Sequence, residues 1–250
     1  MLHHAIYRIL YPFFDTKFIY DSYSCRLNKG THKALDRFKV FARKISKNNT
    51  KTCYVLKCDI RKFFANIDHQ ILKKVLKKHI QDTDILWLLS QVIDSFSARQ
   101  DLAEVGLPLG NLTSQLLVNI YMNEFDQFVK RNLKVKYYIR YADDFAILSE
   151  DKKYLEKILM QIDNFLQKEL KLQLHPNKVF IKTIASGIDF LGWVHFPYHR
   201  VLRTVTKNRM MKNLENNPKK GSFASYLGML KHGDGFKLSK EILAKFIILC

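Results

Sequence analysis

Two β-type runs, Val135 to Arg140 and Phe145 to Ser149, stand so close together that they can only fold back on each other. The residues at the bend are Tyr141-Ala142-Asp143-Asp144. A hairpin here places two adjacent carboxylates at its tip. Such a pair repels itself strongly unless a cation sits between them. Mg²⁺ prefers hard oxygen ligands of this kind, so the turn predicts a divalent-metal site. The tetrapeptide alone is weak evidence, and its surroundings decide its weight.

The charge balance narrows the partners. The 250 residues carry 42 Lys and Arg against 23 Asp and Glu, a net charge of +19. A surface that positive attracts polyanions, nucleic acid first and an anionic membrane second. No apolar run approaches the roughly 18–20 residues that span a bilayer. The segment Ala5 to Phe14 is interrupted by Arg8 and reads as a buried helix, so no membrane partner is expected. Cys25, Cys53, Cys58 and Cys250 lack C-x-x-C spacing and read as free thiols in a reducing cytoplasm. The histidines, His3, His4, His69 and His79 among them, have no metal-ligand spacing and read as structural or surface residues.

Along the chain, Leu2 to Phe14 reads as a helix ended near Pro12, and Phe18 to Thr31 as irregular. Thr31 is expected to cap a helix running to about Ile45. Thr52 to Asp59 reads as a buried strand, His69 to Ile80 and Asp84 to Phe96 as helices. Gly106 to Gly110 is a loop feeding a long helix, Asn111 to Asn132. After the hairpin come a helix from Lys152 to Leu170, one or two strands within Leu172 to Ile184, and two more strands around Pro197 between Gly187 and Val205. Beyond Lys207 the chain is basic and helical. The order is mixed, with a mostly antiparallel centre: α+β.

Upstream of the hairpin lies Lys57-Cys58-Asp59-Ile60-Arg61-Lys62-Phe63-Phe64. Asp59 ends a hydrophobic strand, so its carboxylate can project from a sheet edge. If that strand lies beside the hairpin, three carboxylates converge and can hold two Mg²⁺ ions roughly 3.5–4 Å apart for in-line attack on phosphorus. Each piece has a plainer reading: Asp59 as a turn residue, Lys57, Arg61 and Lys62 as a solvated face, Phe63 and Phe64 as core. The joint order is harder to dismiss: a strand ending in Asp, a Gly-Pro-Gly loop into a helix, then strand, Asp-Asp, strand.

In that order the chain resembles a reverse transcriptase of the prokaryotic retroelement type, of the group II intron or diversity-generating kind. Asp59 to Phe64 matches the first catalytic-Asp motif, continued by Asn66 to His69, and Tyr141 to Asp144 matches the second. Gly106 to Gln115 matches the loop-helix motif, Leu174 to Lys178 the lysine-bearing motif, Phe190 to Trp193 the primer grip, and Asp21 to Ala34 the fingers segment. The resemblance implies a right-hand polymerase: incomplete fingers and a ferredoxin-like antiparallel palm over residues 1–205, then a short helical thumb over 206–250. It implies RNA-directed DNA synthesis on an RNA template from a DNA or RNA primer with dNTPs, using two Mg²⁺ ions, for which Mn²⁺ can substitute, and room for an accessory protein.

Residue by residue, it implies that Asp59, Asp143, Asp144 and the Ile60 carbonyl ligate metal. Arg61, Lys62, Phe63, Phe64, Leu109, Gly110, Gln115 and Lys178 would surround the nucleotide. In that arrangement Phe64 excludes a 2′-hydroxyl, Gly110 lets backbone approach the nascent pair, and Lys178 stands near the leaving phosphate as a proton donor. Phe190, Leu191, Gly192 and Trp193 would hold the primer end.

Two departures qualify the match. Leu109-Gly110 and Ser114-Gln115 stand where many reverse transcriptases carry Gln-Gly and Ser-Pro. That variant resembles diversity-generating enzymes and implies error-prone copying. The opening Met1-Leu2-His3-His4-Ala5 resembles the middle of the fingers, which implies that basic fingertip residues are missing. Two alternatives therefore stay open: a non-catalytic nucleic-acid-binding remnant, and a template-independent defence polymerase. The basic stretches Lys29, Lys33, Arg37, Lys39, Arg43, Lys44 and Lys47, and Lys207, Arg209, Lys212, Lys219 and Lys220, suit a phosphate backbone.

Overall fold

In the computed structural model, residues 1–96, 104–216 and 219–246 are described; Cys250 lies outside them. The elements in order are α1 (Leu2–Asp15), α2 (Thr31–Ile45), β1 (Tyr54–Asp59), α3 (His69–Lys77), α4 (Thr83–Asp94) and α5 (Leu112–Gln127). They continue with β2 (Tyr138–Tyr141), β3 (Asp144–Ser149), α6 (Lys152–Leu170) and β4 (Phe180–Thr183). Last come β5 (Ile188–Phe190), β6 (Trp193–His195), β7 (Arg200–Leu202), α7 (Thr204–Asn216), α8 (Lys220–Leu230) and α9 (Phe236–Phe246).

The central sheet is antiparallel in the order β2-β3-β1-β4. With α5 linking β1 to β2 and α6 linking β3 to β4, this is the split βαβ arrangement of a ferredoxin-like palm. Alternation along the strands divides the sheet's residues between two cores. Leu56, Cys58, Tyr138, Phe145 and Ile147 pack with α1, α3, α5 and α6. Val55, Ile139, Ala146 and Leu148 face α2 and the second sheet, β5-β6-β7, through Ile188, Phe190 and Trp193. A third, small core joins Met210, Leu214, Leu230 and Ile242 of the last three helices.

Local chemistry explains most boundaries. The Asp68, Asp82 and Asp151 carboxylates accept backbone N–H bonds at the starts of α3, α4 and α6. Lys171, in the left-handed region, ends α6. Three expectations are corrected. Pro12 does not end α1, which runs to Asp15. Its ring faces solvent while Ile6, Leu10, Tyr11 and Phe14 keep the apolar stripe buried on both sides of it. Gly30, not Thr31, precedes α2 as its cap; the Thr31 hydroxyl donates to Tyr141 Oη at 3.3 Å instead. Residues 187–205 hold three strands, because the Pro197 bend returns the chain as β7 along β6. The long helix winds as a π-turn over Phe128–Asn132, its last stretch before the hairpin. Among the described residues, no helix is long and apolar enough to cross a membrane.

Candidate active site

The register of β1 on β3 sets Asp59 directly opposite Asp144. Antiparallel partners have Cα atoms about 5 Å apart and side chains on one face. Asp143 occupies the two-residue turn that joins β2 to β3 across the Tyr141–Asp144 pair. The three acids thus meet at one end of the palm sheet, on the face turned toward the second sheet.

The loop after α6 closes the other side of Asp59. His175 N–H donates to the Asp59 carbonyl at 2.8 Å, and Arg61 N–H to the Gln173 carbonyl at 2.9 Å. These bonds flank the Ile60–Leu174 bridge. Strand alternation then turns the Ile60 carbonyl the opposite way, toward the side on which β3 lies. Lys178 follows the His175-Pro176-Asn177 turn and places Nζ 3.2 and 3.1 Å from the two Asp59 carboxylate oxygens.

Lys57, expected as a candidate for a solvated face, is buried at 6% exposure. It lies two residues before Asp59 and so shares its face, and Nζ reaches Asp144 Oδ1 at 2.5 Å. The two form a buried ion pair beneath the turn. Burial pushes the Asp144 carboxyl up to about 6, against the pull of Lys57 and with help from the Asp143 and Asp59 charges. Asp143 is also raised, by burial first and then by Asp59. Both acids of the turn therefore sense the Asp59 charge.

Among the described residues, no group of three Asp, Glu, His or Cys side chains stands arranged to hold a metal ion. The backbones converge, and two of the three carboxylates pair with separate ammonium groups, Asp144 with Lys57 and Asp59 with Lys178. Like charges repel, and a lysine within reach is the nearest counter-charge. The donor chemistry nonetheless suits a divalent cation. The donors are hard oxygens, and two ammonium groups already sit against them where a divalent cation would supply the same counter-charge.

Other expected site residues distribute around this end. Arg61 and Lys62 are exposed, with Lys62 in the left-handed region at φ +46°. Phe63 is core, whereas Phe64 is half-buried and packs edge-on to it at 5.5 Å. The Phe64 carbonyl accepts from Leu107 N–H at 2.9 Å, which ties the Asp59 segment to the loop before α5. On that loop Leu109 and Gly110 are exposed and Gln115 is half-buried. A Cβ at Gly110 would meet no protein atom within 4 Å, so within the chain its φ of +90° alone requires glycine. Phe190 and Trp193 are buried, and Leu191-Gly192 form the turn between them. Lys57 Nζ lies 5.9 Å from the Phe190 ring, which brings the second hairpin up to the acid face.

Sequence reasoning missed Arg140 and Asp126. Both are fully buried, and they pair beneath the Ala142-Asp143 turn at 2.6 Å. A signal existed: Asn119, Asn123 and Asp126 recur at helical spacing among the apolar residues Leu116 to Phe125, and all three are buried.

Residues 1–195 match the family described as reverse transcriptase (RNA-dependent DNA polymerase). Protein YkfC of Escherichia coli (strain K12) is 27% identical, over 90% of this chain and 67% of that protein. The group II intron-encoded protein LtrA of Lactococcus lactis subsp. cremoris is 23% identical, over 77% of this chain and 42% of its own length. A solved structure of telomerase from Candida albicans, in complex with a TWJ fragment of telomeric RNA, aligns with a TM-score of 0.61 at 11% identity. It covers 99% of this chain and 46% of the telomerase chain, so the chain spans less than half the length of the intron and telomerase proteins. With the match running over most of its length, and with a mixed helix and antiparallel-sheet polymerase fold, the chain belongs to the reverse transcriptase (RNA-dependent DNA polymerase) family.

Proposed function

We propose that this chain extends a primer 3′ end with deoxynucleotides on an RNA template, by Mg²⁺-assisted phosphoryl transfer. The observation that carries the reading is the Asp59–Asp144 register with Asp143 on the adjoining turn. Asp59, Asp143, Asp144 and the Ile60 carbonyl would hold the ions. Two bound Mg²⁺ ions supply activation of the primer hydroxyl and neutralisation of the triphosphate.

The remaining chemistry belongs to the chain. Rotation of Lys57 and Lys178 away from the acids would free three carboxylate oxygens, both of Asp59 and Oδ1 of Asp144. Lys178 is more than half exposed, so its ammonium can swing toward a leaving pyrophosphate and give it a proton. Phe64, half-buried and braced by Phe63, presents a fixed ring edge against the sugar. The Leu191-Gly192 turn, next to Lys57 through Phe190, suits a primer end. Residues 1–205 would serve as fingers and palm and 206–250 as thumb, and the free thiols Cys25, Cys53 and Cys58 suit a reducing cytoplasm. Copying is expected to be error-prone, because Leu109 cannot donate the hydrogen bond that Gln would offer near the incoming sugar.

The test is primer extension on poly(rA)·oligo(dT) with Mg²⁺. Wild type is expected to extend, and Asp143→Ala with Asp144→Ala to lose on the order of 10³-fold in rate while keeping template–primer affinity. That affinity should fall roughly 10³–10⁵-fold between 50 and 200 mM salt if 6–10 phosphates are contacted. Binding without extension by wild type would favour a non-catalytic nucleic-acid-binding protein, a reading to which the two lysine–aspartate pairings lend support. Extension without template would favour a template-independent polymerase.

A further inference from the structure

Arg140 is the last residue but one of the β2 segment that leads into the acid-bearing turn, and its side chain is 0% exposed. A guanidinium carries five N–H donors in a rigid fork, and a buried one must satisfy them all. Here each finds an acceptor. Nε donates to Asp126 Oδ1 at 2.8 Å and Nη2 to Asp126 Oδ2 at 2.6 Å. Nη2 also donates to Ser22 Oγ at 3.1 Å, and Nη1 to Asn119 Oδ1 at 3.3 Å. The fifth donor, on Nη1, goes to the Ala142 carbonyl at 3.0 Å. Four bonds anchor the fork to α5 and the fingers segment, and the fifth grips the turn.

That grip falls where the backbone needs it. Ala142 has φ +54°, a left-handed conformation in which the Cβ of an L-residue crowds the following carbonyl oxygen. Its carbonyl shares one rigid peptide plane with the Asp143 nitrogen and Cα. Fixing the oxygen therefore fixes the direction in which the Asp143 side chain leaves the turn. The backbone of Arg140 is held as well: its N–H donates to the Asp21 carbonyl at 3.0 Å, and its own carbonyl accepts from Tyr23 N–H at 3.0 Å. Tyr138 Oη adds a bond of 2.6 Å to Asp126.

We propose that Arg140 is the positioning residue of the Asp143–Asp144 turn: its guanidinium clamps the Ala142 carbonyl and so fixes Asp143 for metal binding, with Asp126, Asn119 and Ser22 as its fixed anchor. The metal-binding half of this statement rests on the polymerase reading; the clamp itself does not.

The test uses the full chain and two variants. Arg140→Lys keeps a positive charge against Asp126 but cannot reach five acceptors, so it releases Ala142. Tyr138→Phe removes one bond from the same buried network without touching the turn. Melting temperature, hydrogen–deuterium exchange over residues 139–145, and Mn²⁺ affinity by electron paramagnetic resonance are measured for each. Arg140→Lys is expected to weaken Mn²⁺ by at least about tenfold and to speed exchange at Asp143 and Asp144. Tyr138→Phe is expected to lower the melting temperature with turn exchange and Mn²⁺ affinity unchanged. Changes that merely track the melting temperature in both variants, or an Arg140→Lys protein with wild-type exchange and affinity, would overturn the clamp. A wild type that binds no Mn²⁺, with the exchange contrast intact, would sink the metal reading and support the clamp.

Discussion

Two hairpins of this chain reverse on two residues each: Tyr141 and Asp144 pair across Ala142-Asp143, and Phe190 and Trp193 pair across Leu191-Gly192. They are held by opposite means. The first has a single left-handed residue, Ala142, and sits over an ion pair between fully buried Arg140 and Asp126. The second has both central residues at positive φ, +51° and +85°, the type I′ pattern that matches strand twist. It sits over Phe190, Trp193 and Ile188, with Phe190 stacked 5.2 Å from Phe38. Packing tolerates small shifts, whereas a five-donor fork specifies one position. The first turn is tied by a buried side chain, Arg140 to the Ala142 carbonyl. The second is tied by one backbone bond, Arg203 N–H to the Gly192 carbonyl at 3.0 Å, over a filled core.

The contrast is broken most forcefully at the supports. Asp126→Ala leaves the Arg140 charge buried and unpaired and should cost about 3–5 kcal/mol in urea unfolding. Phe190→Ala opens a cavity and should cost about the same, roughly 3–5 kcal/mol. The two losses differ in what repairs them. Replacing both charges together, Asp126→Leu with Arg140→Met, should recover part of the stability, since apolar groups can stand in for a buried pair while Tyr138 Oη, Asn119 and Ser22 lose their partners. It should not recover Mn²⁺ affinity. A loss below about 1 kcal/mol for Asp126→Ala would place that pair in the class of weak surface bridges and end the comparison.

The contrast also marks what could be read from residue order. The α6 boundaries, the strand ending in Asp59 and the Asp-Asp hairpin were legible because each is local: helical periodicity with an Asp151 cap, or alternation across a short bend. Partners distant in sequence were not legible. Lys57 reads as one charge in a basic stretch, yet its partner Asp144 lies across the sheet on β3. Arg140 looks like the polar end of a strand until Asp126 and Ser22 are brought against it by the fold. Pro12 is a helix breaker by local rules, and tertiary burial of the stripe around it overrides that preference. Leu191 at positive φ was hidden because a branched residue seldom adopts it and only the β5–β6 pairing imposes it.

A second, smaller test separates the regions by charge. The region of the first turn buries a paired guanidinium; the second buries His195, at the end of β6, with Nε2 unbonded and the ring 4.7 Å from Phe38. Desolvation first, then the Arg200 and Lys39 charges, lower its pKa from 6.5 to about 3. Above the unfolded value the histidine is neutral in both states and stability does not depend on it. As pH falls below about 6.5 the unfolded chain takes up a proton that the folded chain refuses until about 3. Stability should therefore fall on acidification through that window by up to about 1.4 kcal/mol per pH unit. His195→Leu should flatten this slope relative to wild type in urea midpoints taken at successive pH values. Parallel slopes in the two proteins would mean that His195 is protonated in the fold.

The finest discrimination lies in the turns themselves. Ala142→Gly relieves a left-handed residue, worth about 1–2 kcal/mol, and adds the chain entropy of glycine, about 0.5–1 kcal/mol. The sum should leave the protein as stable as wild type or up to about 1.5 kcal/mol more stable. Gly192→Ala runs the other way: the nearest atom to a new Cβ, Thr206 Oγ1, is 4.0 Å off, so φ strain of about 1–2 kcal/mol is set against a recovered chain entropy of about 0.5–1 kcal/mol, and the net cost should be about 0–1.5 kcal/mol. Opposite signs in urea unfolding are the expected result. If Ala142→Gly destabilises as much as Gly192→Ala, then Ala142 is not strained. The Arg140 bond would then decorate a turn that already favours its shape, and the two hairpins would differ only in what lies beneath them.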